Sequence, residues 1–304
     1  MEIQIKNNNS LEKEKTCFLK AMCNFLDTIS FEDGQVNGRP KVDQGEILKH
    51  LLVMSYNSMS YRRAISDLNL LYKNGFISKL ISRSTLNDFA NNNEAIQILE
   101  RLVQVSATFF KDTEDTLIVD STWFAEKMYV GGCSTVHGHK QGLLNTRKIH
   151  VGILQNSKII CYAKATIGTF HDSPAFEDIL VKSAELFDLK SCLGDKAYSS
   201  KNNYILCGDR GIKGFLDFKK HVKENKGKSS LWREQVNVWK NKPELWHESY
   251  RYRVLVESVF FVMKKKFGNY LRSRNENSRD VEMLLKCLVY NLSLIGKHVE
   301  FGHF

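Results

Sequence analysis

Thr116-Leu117-Ile118-Val119-Asp120 is where the chain stops reading as helix and starts reading as strand: four β-prone or apolar residues run together and end on an acid. Lys148 to Leu154 and Ile159 to Ile167 are two more strand-like runs, joined by Gln155-Asn156-Ser157-Lys158, which has hairpin composition. Pro174 then opens a helical pattern carried by Phe176, Ile179, Leu180, Ala184 and Leu186. A short strand ends at Leu193-Gly194-Asp195, a helix spans about Ser200 to Cys207, and Lys213 to Phe218 is a fifth strand. A long helix from about Tyr250 and another from about Asp280 to Ile295 complete the pattern. The order β-β-β-α-β-α-β-α predicts an α/β fold, a mixed sheet flanked by helices.

Upstream of a boundary near Asp112 the periodicity is helical. Residues 1–38 form a polar N-terminal segment with one short apolar stretch, Cys17 to Leu26. Residues 39–112 read as an all-α N-terminal domain, its apolar positions including Ile47, Leu48, Leu51, Leu52, Ala64, Ile65, Leu68, Leu71, Leu86 and Phe89. Ser60 and Ser84 stand where N-caps are expected, Asn74-Gly75 breaks the chain between helices, and a further helix covers about Ala95 to Lys111. The three short helices resemble a helix-turn-helix module. The chain up to Glu114 is electrically neutral, however, with 14 Lys/Arg and 14 Asp/Glu, so a DNA-reading role and a purely structural one both fit the segment.

The composition is that of an ordinary soluble protein: 304 residues, 42% hydrophobic and 26% charged, which excludes a disordered chain. No stretch approaches 18 apolar residues and the start lacks an apolar leader, so a cytoplasmic protein is expected. The seven cysteines (Cys17, Cys23, Cys133, Cys161, Cys192, Cys207, Cys287) are scattered without a C-x-x-C pair and read as reduced, mostly buried thiols. The net charge is +10, and 17 Lys/Arg against 6 Asp/Glu between Arg210 and Arg274 carry all of it. Such a window is either a phosphate-binding surface or a solvated basic loop.

Asp120 and Asp195 both follow hydrophobic strand runs, and strand ends are where α/β folds gather their sites. A third acid lies in the helix that begins near Tyr250. At 100° per residue Arg253, Glu257 and Lys264 fall within about 60° of Tyr250, on one stripe. Val256, Val259, Phe260, Met263 and Phe267 fall on a neighbouring face and are expected to dock the helix onto the sheet. A stripe of this kind can be a salt-bridged surface alone, since Arg253 and Glu257 are four residues apart. Three convergent carboxylates beside a basic surface instead suit a divalent cation and phosphate.

The spacing Tyr250-x2-Arg253-x3-Glu257-x6-Lys264 resembles the Y-R-E-K signature of the DDE transposases of bacterial and archaeal insertion sequences. Gly194-Asp195-Lys196-Ala197-Tyr198 is similar to that family's second-aspartate motif, and Ile118-Val119-Asp120-Ser121-Thr122 to its first-aspartate strand. Gly168-Thr169-Phe170-His171-Asp172-Ser173 is similar to its G-x-x-H-D-S turn. The resemblance covers about Asp115 to Leu294. It implies a ribonuclease-H-like DDE catalytic domain over residues 113–300, with a basic insertion at about 219–249. It also implies a catalytic, metal-binding triad of Asp120, Asp195 and Glu257 holding two Mg²⁺ or Mn²⁺ ions. Tyr250, Arg253 and Lys264, with Lys265 and Lys266, would contact DNA. The implied partners are double-stranded DNA (terminal inverted repeats and target) and a second copy in a homodimer assembled on DNA. The implied reaction is hydrolysis of a strand at the element's end followed by attack of the freed 3′-hydroxyl on target DNA. The alternatives are a domesticated, non-catalytic DNA-binding protein and a nuclease of the same fold that does not join strands. Trp232, Trp239 and Trp246 recur every seven residues beside Lys219, Lys220, Lys223, Lys226 and Lys228, and read either as core or as a base-stacking platform. His150 and His171 read as structural hydrogen-bonding residues rather than catalytic ones.

Overall fold

Five strands form one mixed sheet in the order β3-β2-β1-β4-β5. In the computed structural model, which describes residues 2–31, 42–126, 146–219, 222 and 230–302, they are β1 (Thr116–Ala125), β2 (Thr146–Leu154), β3 (Ile160–Ile167), β4 (Ser191–Gly194) and β5 (Lys213–Leu216). β1, β2 and β3 are antiparallel, whereas β4 and β5 run parallel to β1. The hairpin between β2 and β3 turns at Lys158, whose φ is +60°. It is clamped by buried Glu114, which accepts the backbone N–H groups of Asn156 (3.0 Å) and Ser157 (2.5 Å).

Leu117, Ile118 and Val119 are fully buried in a run, as a central strand covered on both faces requires. Helix α6 (Ala175–Ala184) covers β1, β2 and β3, and α7 (Lys201–Gly208) makes the crossover between parallel β4 and β5. Then follow α8 (Ser230–Asn241), α9 (Pro243–Tyr250), a 3₁₀ turn (Arg251–Val254) and α10 (Leu255–Phe267). Lys220, Lys223, Lys226, Lys228 and Cys133 lie outside the described residues. The six described cysteines are free thiols, all buried except half-buried Cys23.

The chain divides into two compact units, Val103–Val262 with the sheet, and Met1–Leu102 together with Met263–Phe304. The helical unit contains α1 (Glu2–Asp27), α2 (Gln44–Tyr56), α3 (Tyr61–Lys73), α4 (Arg83–Asn91), most of α5 (Asn93–Ala107) and α11 (Glu276–Phe301). Here the structure differs from the sequence reading in four places. α11, expected beside the sheet, packs along α1 and against α2 and α4. α1 starts far ahead of Cys17. The N-cap of α4 is Ser82, whose hydroxyl accepts the Thr85 N–H at 3.2 Å, and Ser84 lies inside the helix. Phe267, expected on the sheet, sits with its ring 5.9 Å from Tyr56 of α2. Among the described residues no helix is long and apolar enough to cross a membrane.

Phe18, Met22, Leu48, Leu52, Leu284 and Leu288 are fully buried at the centre of the helical unit, and Phe18 stacks on Tyr56 at 4.4 Å. α1 and α11 approach so closely at Gly296 that a Cβ there would lie 2.6 Å from the Cys17 carbonyl oxygen. Replacing Phe18 with Ala removes a fully enclosed ring and should cost about 3–5 kcal/mol of the helical unit's stability, read from the urea midpoint. A loss below about 1 kcal/mol would show that α1 is not part of the core.

Candidate active site

The parallel register between β1 and β4 pairs Val119 with Gly194, so the next residues along the two strands are Asp120 and Asp195. Gly194 makes this closeness possible: a Cβ there would lie 2.8 Å from both Leu216 and Val119 side-chain carbons. Between β4 and β5 the register pairs Gly194 with Leu216, so Asp217 continues the same row. Three aspartates thus step across neighbouring strands. Asp217 follows β5 as Asp195 follows β4, and the strand-end rule applied to Asp195 would have found it.

Asp120 is 9% exposed. Its carboxylate accepts the Ser121 N–H (2.8 Å) on one oxygen and an Arg253 guanidinium N–H (2.7 Å) on the other. Burial pushes its pKa up to about 6; Arg253 and the Ser121 N–H oppose the rise, and the charges of Asp195 and Asp172 add to it. Arg253 donates its other terminal nitrogen to Glu257 Oε1 at 2.5 Å. One guanidinium therefore joins a carboxylate of β1 to a carboxylate of α10. Its charge is reinforced against burial by Asp120, and its pKa is raised. The Glu257 side chain is 56% exposed. Asp195 accepts the Ala197 N–H at 2.8 Å, which fixes the turn after β4.

Tyr250 stacks on buried Trp246 (6.5 Å between rings), and burial, with the charges of Asp217, Asp195 and Asp120, pushes its hydroxyl up to about 12. The expected single helix from Tyr250 to Lys264 is not formed: α9 ends at Tyr250, the 3₁₀ turn holds Arg251–Val254, and α10 begins at Leu255. The tighter turn changes the angular step per residue, yet Arg253 and Glu257 still pair as their i,i+4 spacing predicts. The two charge-assisted bonds of Arg253 set its direction. Lys264, Lys265 and Lys266 belong to the helical unit. There Lys266 pairs with Glu14, and burial lowers the pKa of Lys264.

A second network backs Asp120. Asp172, in the turn after β3, accepts the Ser121 hydroxyl (2.6 Å), pairs with buried Lys148 (2.6 Å) and lies 3.3 Å from Nδ1 of fully buried His150. Burial alone would raise the Asp172 pKa, but His150, Lys148 and Ser121 hold it well below the usual carboxylate range. Lys148 also lies 4.6 Å from the centre of the Trp123 ring, whose Nε1 donates to the Gly168 carbonyl. Lys148 and Trp123 went unnoticed in the sequence because nothing local links them to Asp172. The cleft beside Asp195 has a volume of about 950 Å³ and is lined by His171, Asp172, Asp217, Lys219 and Trp239. Phe218 is the hub of an aromatic cluster, with Trp232, Trp239 and Trp246 rings 5.2, 5.6 and 5.6 Å away. Trp232 and Trp246 are core residues, while Trp239 is half-buried at the cleft.

Among the described residues no group of three His, Cys, Asp or Glu side chains is gathered closely enough to hold a metal ion. The donor set nevertheless has the right chemistry for a hard divalent cation: carboxylate oxygens only, on neighbouring elements, with one carboxyl already raised by burial. Asp172 acts on this site through Ser121 and Lys148. Its folded-state pKa lies below the unfolded value, so the stability it contributes is present above about pH 4 and is lost as the pH falls through the folded value. Asp172→Asn should therefore lower stability by about 3 kcal/mol at pH 7, leaving Lys148 buried with a weaker partner, and this deficit should shrink below about pH 4. Urea melts at the two pH values check it, and an equal deficit at both would refute the ion-pair account.

Residues 111–292 match the family model described as Transposase DDE domain. No curated protein sequence matches the chain. Among solved structures, it is similar to the piggyBac transposase in a synaptic complex with hairpin DNA, at 9% identity and a TM-score of 0.45 over 96% of this chain and 76% of that one. It is also similar to the Mos1 transposase in a paired-end complex with the left transposon end, at 11% identity and a TM-score of 0.24 over 79% and 83% of the two chains. The family match spans more than half of the sequence and contains Asp120, Asp195 and Glu257 together with the whole five-stranded sheet: this chain belongs to the transposase DDE domain family.

Proposed function

We propose that this transposase cuts DNA at the ends of its own element and joins the freed 3′ end to target DNA, with Asp120, Asp195 and Glu257 as its catalytic carboxylates. The observation that carries the reading is the shared guanidinium: Arg253 joins Asp120 to Glu257 beside the strand end that bears Asp195. Those three carboxylates would hold Mg²⁺ or Mn²⁺, which when bound supplies Lewis-acid stabilisation of the phosphate and a more acidic bound water.

The chain's own groups divide the remaining work. Asp120 and Asp195, fixed by strand register and backbone N–H bonds, present rigid oxygens. Glu257, more exposed and on a helix, supplies the third. Arg253 has the planar fork that pairs with a phosphate in two-point fashion, and its burial strengthens such a pair. Tyr250 is kept protonated far above neutral pH and serves as a hydrogen-bond donor to DNA. Lys264, Lys265 and Lys266 extend the DNA contact on α10. The substrate is double-stranded DNA, terminal repeats and target alike, and the working form is a homodimer assembled on it.

The test uses the full chain with Mn²⁺ and a duplex carrying the inverted repeats that flank its gene. Wild type should nick at the repeat end, and Asp195→Asn and Glu257→Gln should each reduce nicking by about 10³-fold or more while binding the duplex as before. Retained nicking by Glu257→Gln would remove it from the triad. Supplying a pre-nicked end separates joining from cutting, since an enzyme that only hydrolyses would nick and yield no joined product.

A further inference from the structure

A cavity of about 460 Å³ opens in the helical unit, and its rim carries four arginines from three separate parts of the chain. Arg62 lies in the first turn of α3, Arg83 begins α4, and Arg272 and Arg274 lie in the segment leading to α11. All four are exposed. Arg272 stacks on Tyr270 at 4.9 Å, but Arg62, Arg83 and Arg274 have no carboxylate partner among the described residues. Glu282, the acid of the lining, is engaged elsewhere: it accepts the backbone N–H groups of Arg272 and Ser273 at 2.9–3.1 Å.

The arginine-bearing segment is held in place before any ligand arrives. Asn275 donates to the Asn91 side-chain oxygen (2.9 Å), as does the Ser278 hydroxyl (2.5 Å), and Asn277 donates to the Asn91 carbonyl (3.1 Å). Three helix starts border the cavity, those of α3, α4 and α11; Ser82 caps α4, but neither Ser60 nor Asn275 caps its helix with a side-chain bond. Their first-turn N–H groups add to the positive potential of the rim. The lining also carries the apolar side chains of Leu51, Met54, Met59 and Leu86, together with buried Lys286. Cations and apolar surface in one lining match the alternation of phosphate and deoxyribose along a DNA strand, whereas an acidic peptide offers no such repeat.

We propose that this cavity is a second DNA-contact site, separate from the carboxylate centre, which seats the sugar-phosphate backbone of duplex DNA with phosphates on Arg62, Arg83 and Arg274. The inference rests on DNA being the substrate of this chain. It assigns the helical unit a sequence-independent grip built jointly by its N-terminal helices and the segment after α10.

The experiment is a salt titration of binding to a random-sequence duplex of about 30 bp, since each phosphate contact contributes about 0.9 to the slope of log affinity against log salt. The full-length variant R62A/R83A/R274A should lose about 2–3 from that slope, and R62K/R83K/R274K should keep most of it. Unchanged melting temperatures for both variants establish that the fold is intact. An unchanged slope in the alanine variant, as an acidic protein partner in place of DNA would leave it, overturns the proposal while leaving the transposase reading intact. If wild type fails to bind duplex DNA at all, both fall together.

Discussion

A carboxylate buried in the middle of a sheet must be compensated, and much of the sheet unit is arranged around that need at Asp120. Desolvation opposes its ionised form strongly enough that its pKa stays near 6 even with a guanidinium 2.7 Å away. Arg253 reaches it from the 3₁₀ turn through which the chain passes from α9 to α10. The same guanidinium draws in Glu257, and Tyr250 is left half-buried beside a row of acids, so that burial first and the acids after it suppress its ionisation.

Asp172 shows the opposite solution one residue away on the network. It is also withdrawn from water, yet Lys148, His150 and Ser121 hold it ionised. Two carboxyl groups linked through Ser121 are thus pushed in opposite directions, one raised and one lowered. That separation divides their roles. A group already saturated by three donors has little left to offer a ligand and serves as scaffold, whereas one whose ionised form is poorly compensated gains by meeting additional positive charge.

Much of this was legible in the sequence wherever the determining contacts are local. All five strands, the β2–β3 hairpin and the strand-end setting of Asp195 follow from apolar runs and turn residues, and the family signature added Glu257 and Arg253. What the sequence hid depends on partners distant along the chain. The strand-end place of Asp217 was readable, but its alignment with Asp195 shows only in the β4–β5 register, and Asp172 matters through Ser121, 51 residues away. The wheel drawn from Tyr250 placed Arg253 beside Glu257, where the two pair, but a local period cannot register a bond from Arg253 to a residue 133 positions earlier. Likewise Phe267 and α11 have apolar faces that would suit a sheet as well as a helix, and only packing decides that α11 lies along α1.

The charge pattern illustrates how tertiary structure revises a count. The window from Arg210 to Arg274 carries a large positive excess, but its cations are not equivalent. Arg253 is engaged with two carboxylates and Lys266 with Glu14, so each must exchange an existing partner for a phosphate, and the exchange offsets part of what the phosphate contributes. Arg274 in the same window, and Arg62 and Arg83 far outside it, face no carboxylate among the described residues and release only water and counterions when they meet a phosphate. Affinity for a polyanion follows from such groups more than from formal net charge. A stretch such as residues 39–112, with ten Lys/Arg against seven Asp/Glu, can therefore contribute to a phosphate surface once folding gathers its few uncompensated arginines at one rim.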